Sequence, residues 1–169
     1  TTQYSIHFES KVGLEHMDYL SETKEDDRRN LTINLIRDLG DSGSIVVYNI
    51  AAERSRIRDM KRWFPDLGDD LQAIEQRLFD LQPLVKKCLI YPEFLGRSSL
   101  KLIPHIVSGF SYDDLEINNG EDALGAMNLI FRNEIDPKDL PELRKQLLRY
   151  CERDTEATVR ILETLMSMV

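Results

Sequence analysis

Two carboxylates in this sequence occupy the apolar faces of helices, and a chain can fold that way only if each finds a partner. From Ile50 onward the pattern is helical, and Glu53, Ile57, Met60 and Phe64 recur at the spacing that stacks side chains on one face. The final helix repeats the feature: Leu143, Leu147, Cys151, Asp154, Thr158, Leu162 and Leu165 share a face, with Asp154 near its middle. A carboxylate turned toward a core loses its hydration, so it must be hydrogen-bonded, protonated or bound to a cation. Two such groups suggest a shared metal site.

A chain of 169 residues, 41% hydrophobic and 31% charged, is the size of one globular domain with a proper core. One domain over residues 1–169 is therefore expected. No stretch approaches the roughly 18 uninterrupted apolar residues of a membrane span, and TTQYSIHFES lacks the basic flank and apolar run of a signal peptide. No membrane partner is expected, and the reading is cytoplasmic. Cys88 and Cys151 have no second Cys or His at ligand spacing, so zinc binding and a disulfide are not expected, and both are read as buried thiols.

The formal net charge of −8 argues at first against a nucleic-acid partner. Its distribution matters more than its sum. Arg54, Arg58, Lys61 and Arg62 fall on the solvent side of the helix that carries Glu53, with Arg56 nearby, and Lys86, Lys87, Arg97 and Lys101 form a second basic region. A solvated helix face explains any one of them equally well. A basic face adjoining a buried acid is harder to dismiss.

Gln3 to Ser10 and Leu14 to Ser21 alternate around Lys11, Val12 and Gly13 as a β-hairpin does. Asp26 to Leu39 is amphipathic and stops at Gly40. Ser44 to Tyr48 is a short apolar run of the kind found in a strand buried on both faces. It leads through Asn49 into the helix of Glu53. A short strand at Leu78 to Leu81 precedes a Pro-interrupted stretch to Gly96, and Ser98 to Val107 has helical character despite Pro104. Helices follow at Glu121 to Arg132 and from Pro141 to the C-terminal region. Strands and helices alternate without repeats, which places the chain in the α/β class.

The order of hairpin, helix, buried strand ending in Tyr48-Asn49, helix bearing Glu53, and final helix bearing Tyr150-x-x-x-Asp154 resembles the DEDD superfamily of 3′–5′ exonucleases, tyrosine subtype. More narrowly, QYSIHF, GDSGSIVVYN, AAERSR, FPDL, SSLK, SYDDLEI and YCERDT look like a bacterial family of exonuclease-like domains whose function is not characterised. The resemblance implies an RNase H-like mixed sheet flanked by helices, with SIVVY central and the hairpin at one side. It also implies two Mg²⁺ or Mn²⁺ ions and a single-stranded 3′ end of DNA or RNA as substrate. Glu53 and Asp154 would be metal ligands, Tyr150 would orient the attacking water, and Asn49, Arg54, Arg58 and Lys101 would contact the nucleic acid. The carboxylates of Glu53 and Asp154 should face each other across a cleft. Glu53 stands where most relatives have Asp, and the first motif, Asp-x-Glu, is absent. His7-Phe8-Glu9 imitates it superficially, but QYSIHF matches the second strand of the superfamily instead. The Asp-x-Glu strand is thus expected upstream, in a parent protein with further domains.

Each residue also has a plainer explanation. Asn49 would serve as a helix cap, Tyr150 as an ordinary helix tyrosine with a wet tip, Glu53 as an early-helix acid favoured by the dipole, and Asp154 as the partner of Arg153 or Arg149. His7, His16 and His105 show no ligand spacing, and Asp113 and Asp114 read as turn and cap residues. Taken together, the order favours a metal-dependent 3′–5′ exonuclease domain. The alternatives are a non-catalytic descendant that binds nucleic acid or protein, and a structural domain whose acids are neutralised by arginines.

Overall fold

The computed structural model describes residues 2–21 and 26–168 and is mixed α/β. Strands β1 (Gln3–Ser10) and β2 (Gly13–Leu20) form an antiparallel hairpin in which Tyr4 faces Tyr19 and His7 faces His16. Gly13, at φ 122°, makes the tight connection that a residue with a Cβ would resist. Helix α1 (Arg28–Leu39) follows and ends at Gly40, φ 56°. Strand β3 (Ile45–Val47) runs into α2 (Ile50–Trp63), then a 3₁₀ turn at Pro65–Leu67, then α3 (Gly68–Arg77). The chain returns as β4 (Leu78–Asp80), parallel to β3. Helices α4 (Gln82–Cys88), α5 (Leu102–Ser108), α6 (Gly120–Arg132) and α7 (Leu140–Met166) complete it.

Side-chain alternation sorts the strands between two helical layers. On one side Tyr4, Ile6 and Tyr19 of the hairpin, together with Ile45 and Leu78, pack on Leu31, Ile57, Met60, Leu71 and Ile74 from α1, α2 and α3. The Tyr4 and Tyr19 hydroxyls donate to Asp38 at 2.6 Å and Asp27 at 2.7 Å, pinning the hairpin to α1 and the residue before it. On the other side Ser5 and His7 meet Thr155 of α7, each at 2.8 Å, while Val46 and Tyr48 pack with Leu81, Val85, Ile103 and Ile161. A further cluster joins Leu20 to α6 and to Leu147 of α7.

Several expectations are corrected. Among the described residues the strands form two separate two-stranded sheets, so SIVVY is not the centre of one continuous sheet. Its residues are half-buried and pair with the short β4. The Pro-interrupted stretch contains α4, whose Pro83 sits in the first turn where a missing N–H costs nothing. Helix α3 has acids at its start and an apolar face of Leu71 and Ile74, a pattern passed over between FPDL and the next strand. The helix expected over Ser98 to Val107 covers only Leu102–Ser108. Cys88 is exposed at the end of α4, not buried. Among the described residues no helix is long and apolar enough to cross a membrane.

Arg77, the last residue of α3, holds the loop that aims β3. Its guanidinium donates to the carbonyls of Leu39 and Gly43 at 2.8 Å, of Ser42 at 2.6 Å, and of Gly40. A planar fork of donors fits four carbonyls in a way a single ammonium does not. Arg77→Ala should therefore destabilise the fold by about 1–3 kcal/mol in denaturant titration, and Arg77→Lys should recover less than half of that loss.

Candidate functional site

The N-terminus of α2 is built around Asp80. Register places Asp80 opposite Val47, and its carboxylate accepts from the N–H groups of Asn49 at 3.0 Å, Ile50 at 3.2 Å and Gln82 at 3.0 Å. Asn49 is therefore not the side-chain cap of α2. It takes the left-handed conformation, φ 70°, which Asn tolerates better than most residues, and its side chain makes no cap bond. Glu53 lies one turn into the helix on the same face as the buried Ile57 and Met60. Its Oε2 is buried with no hydrogen-bond partner. Burial, and secondarily the Asp80 charge, raises its pKa above the ordinary range.

Asp154 of α7 occupies a different setting. The Tyr112 hydroxyl donates to it at 2.9 Å, and the Tyr150 hydroxyl, one turn earlier on the same helix, reaches the same carboxylate. Burial raises the pKa of Asp154 while both hydroxyls oppose the rise. The same surroundings push both tyrosines above the ordinary phenol range and Cys151 up to about 12. Arg153 and Arg149 pair with Asp114, at 2.8 and 3.8 Å, so neither arginine neutralises Asp154. The cation whose charge favours ionised Asp154 is Lys101. Its ammonium lies 4.8 Å from the Tyr112 ring centre and 5.0 Å from that of Tyr150, and donates to the Asn118 carbonyl before α6. That placement is a double cation–π contact.

Glu53 and Asp154 thus have separate partners. Tyr112, Lys101 and Tyr150 surround one acid, and Asp80 neighbours the other. Among the described residues no group of three or more His, Cys, Asp or Glu side chains could hold a metal ion. The unpartnered oxygen of Glu53 fits a cation ligand. Asp80 is committed to backbone amides, and Asp154 shares its oxygens with hydroxyl donors. The donor set present is a partial one.

Of the basic residues on α2, Arg54 and Arg58 are exposed, while Arg62 pairs with Asp59 and Lys61 with Glu75 at 2.6 Å. The α2 patch offered to an anion therefore shrinks to Arg54 and Arg58. The rings of His7 and His16 lie 4.8 Å apart and join Ser5, Thr155 and Glu152 in a network between hairpin and α7. Sequence reasoning missed Tyr112 and Asp80. In SYDDLEI it is the tyrosine, not the acids, that holds Asp154. The position of Asp80 at the end of a strand was the available signal for a cap.

The family described as Domain of unknown function (DUF2779) matches residues 1–99. Among curated proteins the chain is 31% identical over 134 residues to "Uncharacterized protein MG366 homolog" of Mycoplasma pneumoniae, covering 72% of this chain and 20% of that protein. It is 24% identical over 139 residues to "Uncharacterized protein MG366" of Mycoplasma genitalium, covering 75% and 21%. The chain therefore spans about a fifth of the length of the curated relatives it matches. No solved structure matches it.

The state of Glu53 has a measurable consequence. A carboxyl group whose folded pKa is raised stabilises the fold while protonated; that contribution is full below its ordinary value of 4.5 and is lost as pH climbs through the raised value. Glu53→Gln removes the penalty of an ionised, unpartnered oxygen. At pH 7 the variant should match or exceed the parent by up to about 1 kcal/mol, and its melting temperature should change less between pH 5 and pH 7.

Proposed function

This chain belongs to the DUF2779 family, and from that premise we propose that it is part of a metal-dependent 3′–5′ exonuclease-like domain acting on a single-stranded end of DNA or RNA. The observation that carries the reading is the half-buried Tyr150-x-x-x-Asp154 pair, in which a hydroxyl and a carboxylate one helical turn apart meet at one point. Such a pair suits a reaction that needs a metal ligand beside a group able to orient water. The unpartnered oxygen of Glu53 supports a second ligand position. Both strand pairs lie between the same two helical layers without hydrogen-bonding to each other, as an RNase H-like sheet would if one inner strand came from elsewhere. In this reading that strand carries Asp-x-Glu and is supplied by the parent protein.

Glu53 and Asp154 would hold Mg²⁺ or Mn²⁺ with the acids of the added strand. Bound there, such ions would supply the Lewis-acid charge for phosphodiester hydrolysis. Tyr150 orients the water through its hydroxyl. Tyr112 keeps the Asp154 carboxylate in one rotamer. Lys101, Arg54 and Arg58 meet the phosphates of the strand, and Asn49 stands at the loop beside Glu53.

A second reading, a non-catalytic module that binds nucleic acid or protein, is favoured by one observation: Lys101 already places a cation beside Asp154, so the acid does not require a metal to be tolerated. The parent protein separates the two. With Mn²⁺ or Mg²⁺ a 5′-labelled oligonucleotide should shorten stepwise, Asp154→Asn should abolish cleavage without unfolding, and Tyr150→Phe should slow it while leaving metal affinity largely intact. An intact oligonucleotide and no divalent-ion binding by calorimetry would leave only the binding module.

The basic residues predict a separate result. Arg54→Glu with Arg58→Glu should weaken binding of single-stranded oligonucleotide and reduce its salt slope by about 1–2. Unchanged affinity across a salt titration would assign these arginines to solvent alone.

A further inference from the structure

A surface feature on the α4–α5 side of the molecule is unused by the nuclease reading and independent of it. A cavity of about 190 Å³ opens between α4, the 3₁₀ turn at Pro92–Phe94 and α5, with Val85, Leu89, Phe94 and Ile103 as its apolar floor. It is smaller than the roughly 300–1,000 Å³ pockets that take small-molecule ligands. Its volume suits a single side chain. Tyr91 and Ile90 also line it, Ile90 being 84% exposed, and Leu95, 77% exposed, lies next in the chain to Phe94. Exposed aliphatic groups gathered at a pocket mark protein contacts more than nucleotide contacts, since they offer no stacking face and no hydrogen bond.

Leu95 ends the 3₁₀ turn at φ 48°, its N–H bonded to the Pro92 carbonyl, and leaves its side chain in water. The charges complete the description. Lys86 and Arg97 line the cavity and Lys87 lies beside them, and none of the three forms an ion pair among the described residues. On a chain with net charge −8, three unpaired cations around an apolar hole form a local surface complementary to acidic ligands.

We infer that this pocket docks an acidic peptide segment that inserts one bulky apolar side chain onto Val85, Leu89 and Phe94 while its carboxylates meet Lys86 and Arg97. Apolar insertion supplies affinity, and the rim charges supply orientation and selection.

The probe is a short fluorescein-labelled Asp/Glu-rich peptide with one central Phe, followed by anisotropy against this chain at low salt. Saturable binding is expected. Replacing the central Phe by Ala, or introducing Arg97→Glu, should each weaken it about tenfold or more. Leu95→Gly should also weaken it without lowering the melting temperature, because glycine accepts the positive φ that leucine resists. Amide shifts on titration should cluster at 85–97. No saturable binding, equal binding of the Ala peptide, or a Leu95→Gly variant that melts lower yet binds normally would overturn the proposal. Displacement of the peptide by oligothymidylate whose own affinity falls with Arg97→Glu would assign the pocket to nucleic acid instead.

Discussion

One carboxylate, Asp80, is the joint on which the site half of the molecule turns. Three backbone N–H groups from two helix starts converge on it. A helix leaves its first amides without internal partners, and satisfying them with a charged acceptor is both stabilising and directional. Because Asp80 lies opposite Val47 and the Leu81 N–H reaches the Val47 carbonyl at 2.9 Å, the strand pair and the start of α2 are set by one residue. The left-handed turn at Asn49 follows from this joint. So does the direction of the first turn of α2, which carries Glu53 toward the interior.

Glu53 and Asp154 meet the same difficulty in two ways. Glu53 leaves one oxygen unpartnered with another acid nearby, an arrangement that protonation or an added cation would relieve. Asp154 is held by two tyrosine hydroxyls, with the Lys101 ammonium resting on the rings that provide them. The first environment waits for a partner and the second largely has one. One acid is thus fixed by hydroxyl donors and the other keeps an oxygen without a donor.

The two strand pairs have a physical logic of their own. Both pairs share one hydrophobic core on the α1–α3 side, while on the other side Val46 and Tyr48 enter a second apolar cluster and the hairpin meets α7 through Ser5, His7 and Thr155. Arg77 and the two tyrosine–aspartate bonds of the hairpin hold this arrangement in place from the edges.

Element order, the hairpin turn, and the acids on the apolar faces of α2 and α7 were legible in the sequence, because periods of 2 and 3.6 and the φ > 0 demand at a tight turn are local properties. Helix α3 was also locally encoded, and was overlooked. The partners of the buried acids were not legible. Tyr112 and Asp154 are 42 residues apart and meet only because α7 packs beside the loop after α5. Arg153, the local candidate for neutralising Asp154, instead turns to Asp114. The cap of α2 comes from Asp80, 30 residues beyond Ile50, and not from the adjacent Asn49. Local periodicity decides which side chains must be buried, whereas long-range packing decides what each one finds there.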